Sequence, residues 1–240
     1  MADYGISVVN NSGSVVISNN YKIMVFSERG TFNIRSSHTD TEGAGSVAFM
    51  RTILTQEPPQ IFVRFVSGAH SDLAIYTTVF GSPGSWTGFQ VNSAVRGGST
   101  LQNYTMEYVS CKYADKTDSE SFGMNIWDSS GAPIYNSGDR IVRYSKFTKA
   151  WTRVQGNMVD TYTSGLSIDV DDFTCVSAFD RGVMWFANGA SFAGLTLLAS
   201  GVRVLNIAVD IISGLYYYQG VNGQSFTIQV CKFPTDRYFN

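Results

Sequence analysis

Residues 4–27 read YGISVVNNSGSVVISNNYKIMVFS, and residues 122–145 read FGMNIWDSSGAPIYNSGDRIVRYS. Laid one on the other without a gap, at a shift of 118 (122 − 4), they bring Gly5 onto Gly123, Ser12-Gly13 onto Ser130-Gly131, Ile23 onto Ile141 and Ser27 onto Ser145. Tyr4/Phe122, Ile6/Met124, Val8/Ile126, Val16/Ile134, Lys22/Arg140 and Phe26/Tyr144 agree in chemistry. In the first copy, arms rich in Val and Ile flank Asn11-Ser12-Gly13. That predicts a β-hairpin over Tyr4–Ile17, because glycine supplies the positive φ of a tight turn. The second copy turns at Ser129-Ser130-Gly131 and carries Pro133 where the first has Val15. A proline cannot donate to a ladder, so that arm is predicted at an edge or beyond Pro133. Lys22–Phe26 and Arg140–Tyr144 form the next strand of each copy.

Two further anchors lie in register with this stretch. Phe65-Val66-Ser67-Gly68-Ala69 is echoed by Phe186-Ala187-Asn188-Gly189-Ala190, at a shift of 121. Cys111-Lys112-Tyr113 is echoed by Cys231-Lys232-Phe233, at a shift of 120. Three anchors in the same order predict one unit used twice. The polar run Ala114–Ser121 marks the seam, which gives a first unit over 1–116 and a second over 117–240.

Between the anchors, strands are predicted at Ser46–Leu54, Ile61–Val66, Leu73–Phe80, Trp86–Val91 and Asn103–Tyr113. In the second unit they fall at Val183–Ala187, Phe192–Leu198, Val202–Ile212, Leu215–Tyr218 and Ser225–Phe233. Beyond Gly30 the pattern loosens, and Ser36–Gly45 reads as a loop. No segment sustains a 3.6-residue apolar period over a dozen positions, so helix is minor, with one short helix admitted only within Lys146–Tyr162. The expectation is an all-β protein of two tandem, internally duplicated antiparallel β-sandwich units.

Composition narrows the function classes. The 17 Lys+Arg balance 19 Asp+Glu in a chain of 240 residues, so the clustered basic face of a nucleic-acid binder is not expected. Charged residues are 15% and aromatics 14%, against about 25% charged in an average domain. Low charge with many Gly, Tyr and Phe suits surfaces covered by neighbours. The N-terminus shows no secretory pattern, and Val202–Tyr218 is broken by Arg203, Asn206 and Asp210, so no membrane insertion is expected. Cys111, Cys175 and Cys231 have no CxxC spacing; the matched pair Cys111/Cys231 reads as a small buried apolar residue used twice.

Candidates for chemistry are few. His70 lies beside Ser71 and Asp72, but neighbours on a turn do not place an imidazole between the other two groups, as a triad requires. Asp169, Asp171 and Asp172 supply carboxylates of the kind calcium takes, without the glycine and distal glutamate of an EF-hand loop; a solvated turn is the plainer reading. Trp86, Trp127, Trp151, Trp185, Tyr162 and Tyr216–Tyr218 offer flat faces for sugar stacking, although aromatics at this density mostly serve cores and interfaces. No nucleotide-binding, zinc-protease or nucleophile-elbow motif occurs. No catalytic, cofactor-binding or metal-binding residue is assigned.

The opening segment, Tyr4-Gly5, apolar Ile6–Val9, the turn Asn10–Gly13 and apolar Val15–Ile17, resembles the start of a family of structural proteins from tailed bacteriophages and prophages. The segment Phe122–Tyr135 has the same form, with Pro133 as its departure. The resemblance implies a non-enzymatic virion protein of the tail tip, tail fibre or fibre-attachment region, synthesised in the bacterial host cytoplasm. Its implied partners are other tail proteins and further copies of itself. The family has no established catalytic residues to carry over. A receptor- or glycan-binding module that contacts the host envelope is the alternative.

Overall fold

The computed structural model describes residues 7–9, 15–18, 22–36, 42–68, 73–95, 102–115, 123–154, 161–177, 183–186, 189–198, 201–211 and 227–240. Among these there is no helix, and every strand pairing is antiparallel. The protein is all-β.

Each copy of the repeated stretch forms its own two-stranded hairpin: β1 (Ser7–Val9) with β2 (Val15–Ser18), and β9 (Asn125–Trp127) with β10 (Pro133–Asn136). In the second hairpin Gly131 adopts φ +84°, the left-handed conformation the turn demands. Asp128 Oδ1 closes that turn by accepting from the amides of Ser130 and Ala132 at 2.8 and 2.9 Å. Pro133 pairs opposite Trp127 beside an irregularity in register. This sheet has only two strands, so Pro133 does sit on an edge, where its missing N–H costs no ladder bond.

All other strands share one sheet. The first half supplies β3 (Met24–Ser36), β4 (Glu42–Ile53), β5 (Gln60–Ser67), β6 (Leu73–Ser82), β7 (Ser85–Val95) and β8 (Asn103–Tyr113). The second half supplies β11 (Tyr144–Thr148), β12 (Thr152–Val154), β13 (Thr161–Thr163), β14 (Asp172–Cys175), β15 (Val183–Phe186), β16 (Gly189–Leu198), β17 (Gly201–Ile211) and β18 (Ile228–Lys232). The spatial order is β11-β18-β14-β5-β8-β3-β4-β7-β6-β16-β17-β13-β12, with β15 added beside β16. The boundary at 116/117 falls outside the described residues. Hydrogen bonding nevertheless runs from one half to the other, at β5–β14 and at β6–β16.

The sheet curls back on itself. Its two ends, β11 and β12, are consecutive pieces of one stretch, and four residues from Thr148 to Thr152 span at most about 14 Å. At the other end of β11 a bridge joins Ile141 to Val25. Curling makes two cores, and a third, smaller cluster of Ile23, Val25, Ala114, Ile126 and Ile134 lies where the β9–β10 hairpin packs on the start of β3. The larger holds Phe32, Phe49, Ile61, Val63, Trp86, Phe89, Met106, Leu195 and Ile228. The second holds Met24, Phe62, Val109, Cys111, Val142, Phe173, Cys175, Cys231, Phe233 and Tyr238. Strand β5 explains the division: Ile61 and Val63 point into the first core and Phe62 into the second. All three are fully buried, as in a strand covered on both faces.

Three local expectations change. Strand β3 continues through Gly30 to Ser36, because it pairs along its length with β8 from Met24↔Tyr113 to Arg35↔Asn103. Gly30 lies against the Tyr108 ring, where a Cβ would come within 2.8 Å of a ring carbon; glycine there admits the ring and does not end the strand. Residues 42–45, read as loop, begin β4 because they pair with β7. The short helix admitted after Lys146 is replaced, in its described part, by β11, β12 and β13.

Candidate functional site

Strand β14 opens on the acidic cluster. A turn closes as the Asp172 amide donates to the Asp169 carbonyl at 3.0 Å, and the Asp169 amide donates to Asp172 Oδ2 at 2.8 Å. One carboxylate oxygen from each of Asp169, Asp171 and Asp172 lies within 4.8 Å of the others. Asp172 is fully buried and the other two are exposed.

Pairing within the sheet then brings two ammonium groups to the cluster. Lys146 of β11 reaches Asp172 Oδ2 at 2.6 Å, Asp169 Oδ2 at 3.0 Å and the Ser167 carbonyl at 3.1 Å. Lys232 of β18 reaches both oxygens of Asp171, at 2.8 and 3.0 Å. Hydrogen bonding to Lys146 lowers the Asp169 carboxyl below its usual range, and hydrogen bonding to Lys232 lowers that of Asp171. Bonding to Asp172 raises the Lys146 ammonium. These three aspartates are the residues that could hold a cation, but two lysine charges already occupy the space between the carboxylates. The arrangement joins three strands through charge, and a divalent ion would have to displace both lysines.

A second polar network lies on β8. Glu107 is held between Arg29 of β3 and Arg64 of β5, with Arg64 Nη2 at 2.6 Å. Burial pushes the Glu107 carboxyl up, but the hydrogen bonds and charges of the two arginines outweigh it and lower it overall. Arg29 also donates to the carbonyls of Phe233 and Tyr238, at 3.1 and 2.9 Å, and so fastens the C-terminal segment.

A cleft of about 690 Å³ opens next to that segment, with Met50, Leu54, Lys112, Asp115 and Phe239 in its lining and Glu28 among its walls. Glu28 is 3% exposed. Its two oxygens accept from the Tyr108 hydroxyl at 2.7 Å and from the Met50 amide at 2.9 Å. Lys112 is paired with Asp115 at 2.6 Å. Glu28 is thus satisfied by Tyr108 and Met50, and Lys112 by Asp115. The cysteines do not serve as nucleophiles. All three are buried and in no disulfide, and burial raises the thiols of Cys111 and Cys231 far above their ordinary range, whereas a reactive cysteine needs its thiolate.

The aromatic candidates separate by burial. Trp86 is buried and donates its indole N–H to the Thr55 carbonyl at 2.9 Å. Trp151 and Tyr162 are half-buried against the larger core. Trp127 is 47% exposed on β9. Trp185 lies on β15. Tyr216–Tyr218, His38 and His70 with Ser71 and Asp72 lie outside the described residues. Sequence reasoning passed over two exposed aromatics on β11, Tyr144 and Phe147, at 47% and 57% exposure. Their spacing is no guide, because a register irregularity between Tyr144 and Lys146 breaks the two-residue alternation.

Comparison of the chain with protein families, with curated proteins and with solved structures finds no match.

Proposed function

We propose that this chain is a non-enzymatic structural protein of a tailed bacteriophage particle, working through protein–protein contact in the tail tip, fibre or fibre-attachment region. The observation that carries the reading is the N-terminal segment Tyr4–Ile17, which resembles the start of such proteins and recurs in form at Phe122–Tyr135. The surface is consistent with it: Met50, Trp127, Tyr144 and Phe147 on strands, and Leu54 and Val170 beside them, are large apolar side chains left exposed, the kind of residue that interfaces cover. The two charged clusters described above are paired within the chain. Quantitative mass spectrometry of purified particles from a strain producing this chain tests the proposal. The chain should be recovered at a fixed ratio to tail proteins; its absence from intact particles would end the reading.

A receptor- or glycan-binding role is the second reading, favoured by the exposed ring of Trp127. A glycan array separates the two: binding that disappears in Trp127→Ala would move the protein to the host-contacting class.

A further inference from the structure

The pairing pattern repeats between the halves at β1–β2 and β9–β10, at β3–β8 and β11–β18, and at β6–β7 and β16–β17. The echo of Phe65–Ala69 at Phe186–Ala190 does not follow it, because β16 lies 116 residues beyond β6 and makes Gly189 the counterpart of Leu73 and not of Gly68. In the first hairpin Val8 pairs with Ile17 and Val9 with Val15; in the second, Ile126 pairs with Tyr135 and Trp127 with Pro133. Every one of these positions is displaced by 118, and the irregularity falls at the same step. In the main sheet Phe26 pairs with Cys111, and the register slips between Phe26 and Glu28. Tyr144 pairs with Cys231, and the register slips between Tyr144 and Lys146. These are again counterparts, at shifts of 118 and 120. The β6–β7 turn pairs Ser82 with Ser85, and the β16–β17 turn pairs Leu198 with Gly201, both displaced by 116.

Where the halves meet, counterparts face each other. Phe62 lies opposite Val109 on β8. Adding 120 to Val109 gives Gln229, which falls opposite Cys175 one step beyond the last β14–β18 pair, Thr174↔Val230. Cys175 is thus the counterpart of Phe62, and these two residues pair directly across β5–β14. Met24 and its counterpart Val142 meet in the same way: the Val142 amide donates to the Met24 carbonyl at 2.9 Å, beside the bridge Val25↔Ile141. At the third contact Leu195 pairs with Ile75. Extended two residues beyond this one pair, an antiparallel register would set Thr77 opposite Ala193, which are 116 apart. A residue facing its own counterpart is the mark of a two-fold axis between identical surfaces.

We infer that the chain is a fused dimer: two copies of one unit of about 118 residues, closed on each other about a pseudo-two-fold axis and not set side by side as separate sandwiches. The surface formed by β5, β6 and the start of β3 is an interaction surface, and the partner it fits is a second copy of the unit. The inference rests on the registers and the sequence counterparts they relate, and is independent of the phage reading.

Cysteine pairs in the full-length protein test the axis. M24C/V142C and T77C/A193C should each form an intramolecular disulfide under mild oxidation, seen as faster migration that reductant reverses and assigned by peptide mapping to the introduced pair, since Cys111, Cys175 and Cys231 share the core of Met24 and Val142. T77C/L197C, displaced four residues from the axis, should not. Cross-linking of the displaced pair in preference to T77C/A193C would overturn the inference. A graft tests the equivalence. Replacing residues 124–136 with the sequence of 6–18 brings valines to the buried sites of Ile126 and Ile134 and should lower Tm by only about 3–8 °C. Using residues 5–17 instead brings a serine to the Ile126 site and should lower it much further. An in-register graft no better than the offset one would contradict the equivalence, whether or not either folds well.

Discussion

At the residue scale, Glu28 and Tyr108 show how a buried charge is tolerated in an apolar curl. Both carboxylate oxygens have protein donors, so desolvation is offset by directed hydrogen bonds. Burial first, and then Glu28, drives the Tyr108 hydroxyl well above its usual range, which keeps it a donor. Tyr108→Phe leaves one oxygen of Glu28 without its donor and should destabilise the fold by about 1–3 kcal/mol, read as a lower urea midpoint at unchanged m-value. Glu107 makes a pH prediction. Its folded pKa is lowered, so its stabilisation is present above the unfolded value of about 4.3 and is lost as pH falls through the folded pKa. Glu107→Gln should therefore be less stable than wild type at pH 7, by about 2 kcal/mol, and the gap should narrow as pH drops below about 4. A constant gap across pH would show that packing and not charge sets the effect. Neither residue announced itself in the sequence: Glu28 follows a register irregularity that places it inward, and Glu107 gains its arginines only through strand pairing.

At the element scale, the C-terminal segment closes the second core. Tyr238 is 2% exposed, packs edge-to-face against Phe233 with ring centroids 5.1 Å apart and donates its hydroxyl to the Ile141 carbonyl at 2.7 Å. The Asn240 side chain accepts from the Arg29 amide at 2.8 Å and donates to its carbonyl at 2.7 Å, as a strand neighbour would. Tyr238→Ala should cost about 3–5 kcal/mol and make the buried cysteines accessible to a thiol reagent; unchanged thiol protection would mean that the segment is not the closure. Strands bounded by turn residues were legible in the chain, and β8 was read at its observed limits because Asn103–Tyr113 alternates between clear ends. The full length of β3 was not legible: Gly30 looks like a stop until the Tyr108 ring beneath it is seen. The tail Pro234–Asn240 has no alternation at all, and its role arises from what Arg29 and Phe233 offer it.

At the scale of the whole molecule, the all-β class and the matched cysteines followed from the residues, since alternation and small apolar character are local properties. How the halves join did not. A strand such as β5, apolar at Ile61, Phe62 and Val63 alike, signals cover on both faces but does not name its neighbour. That neighbour, β14, lies beyond a stretch of more than a hundred residues and carries the acidic cluster that looked like a metal site until Lys146 and Lys232 were placed beside it. One sheet running through both halves implies that neither loses its structure alone. Differential scanning calorimetry of the full chain tests this most directly. A single transition, with calorimetric and van't Hoff enthalpies equal, is the result expected of one continuous sheet; two separable transitions, one for each side of residue 116, would contradict it.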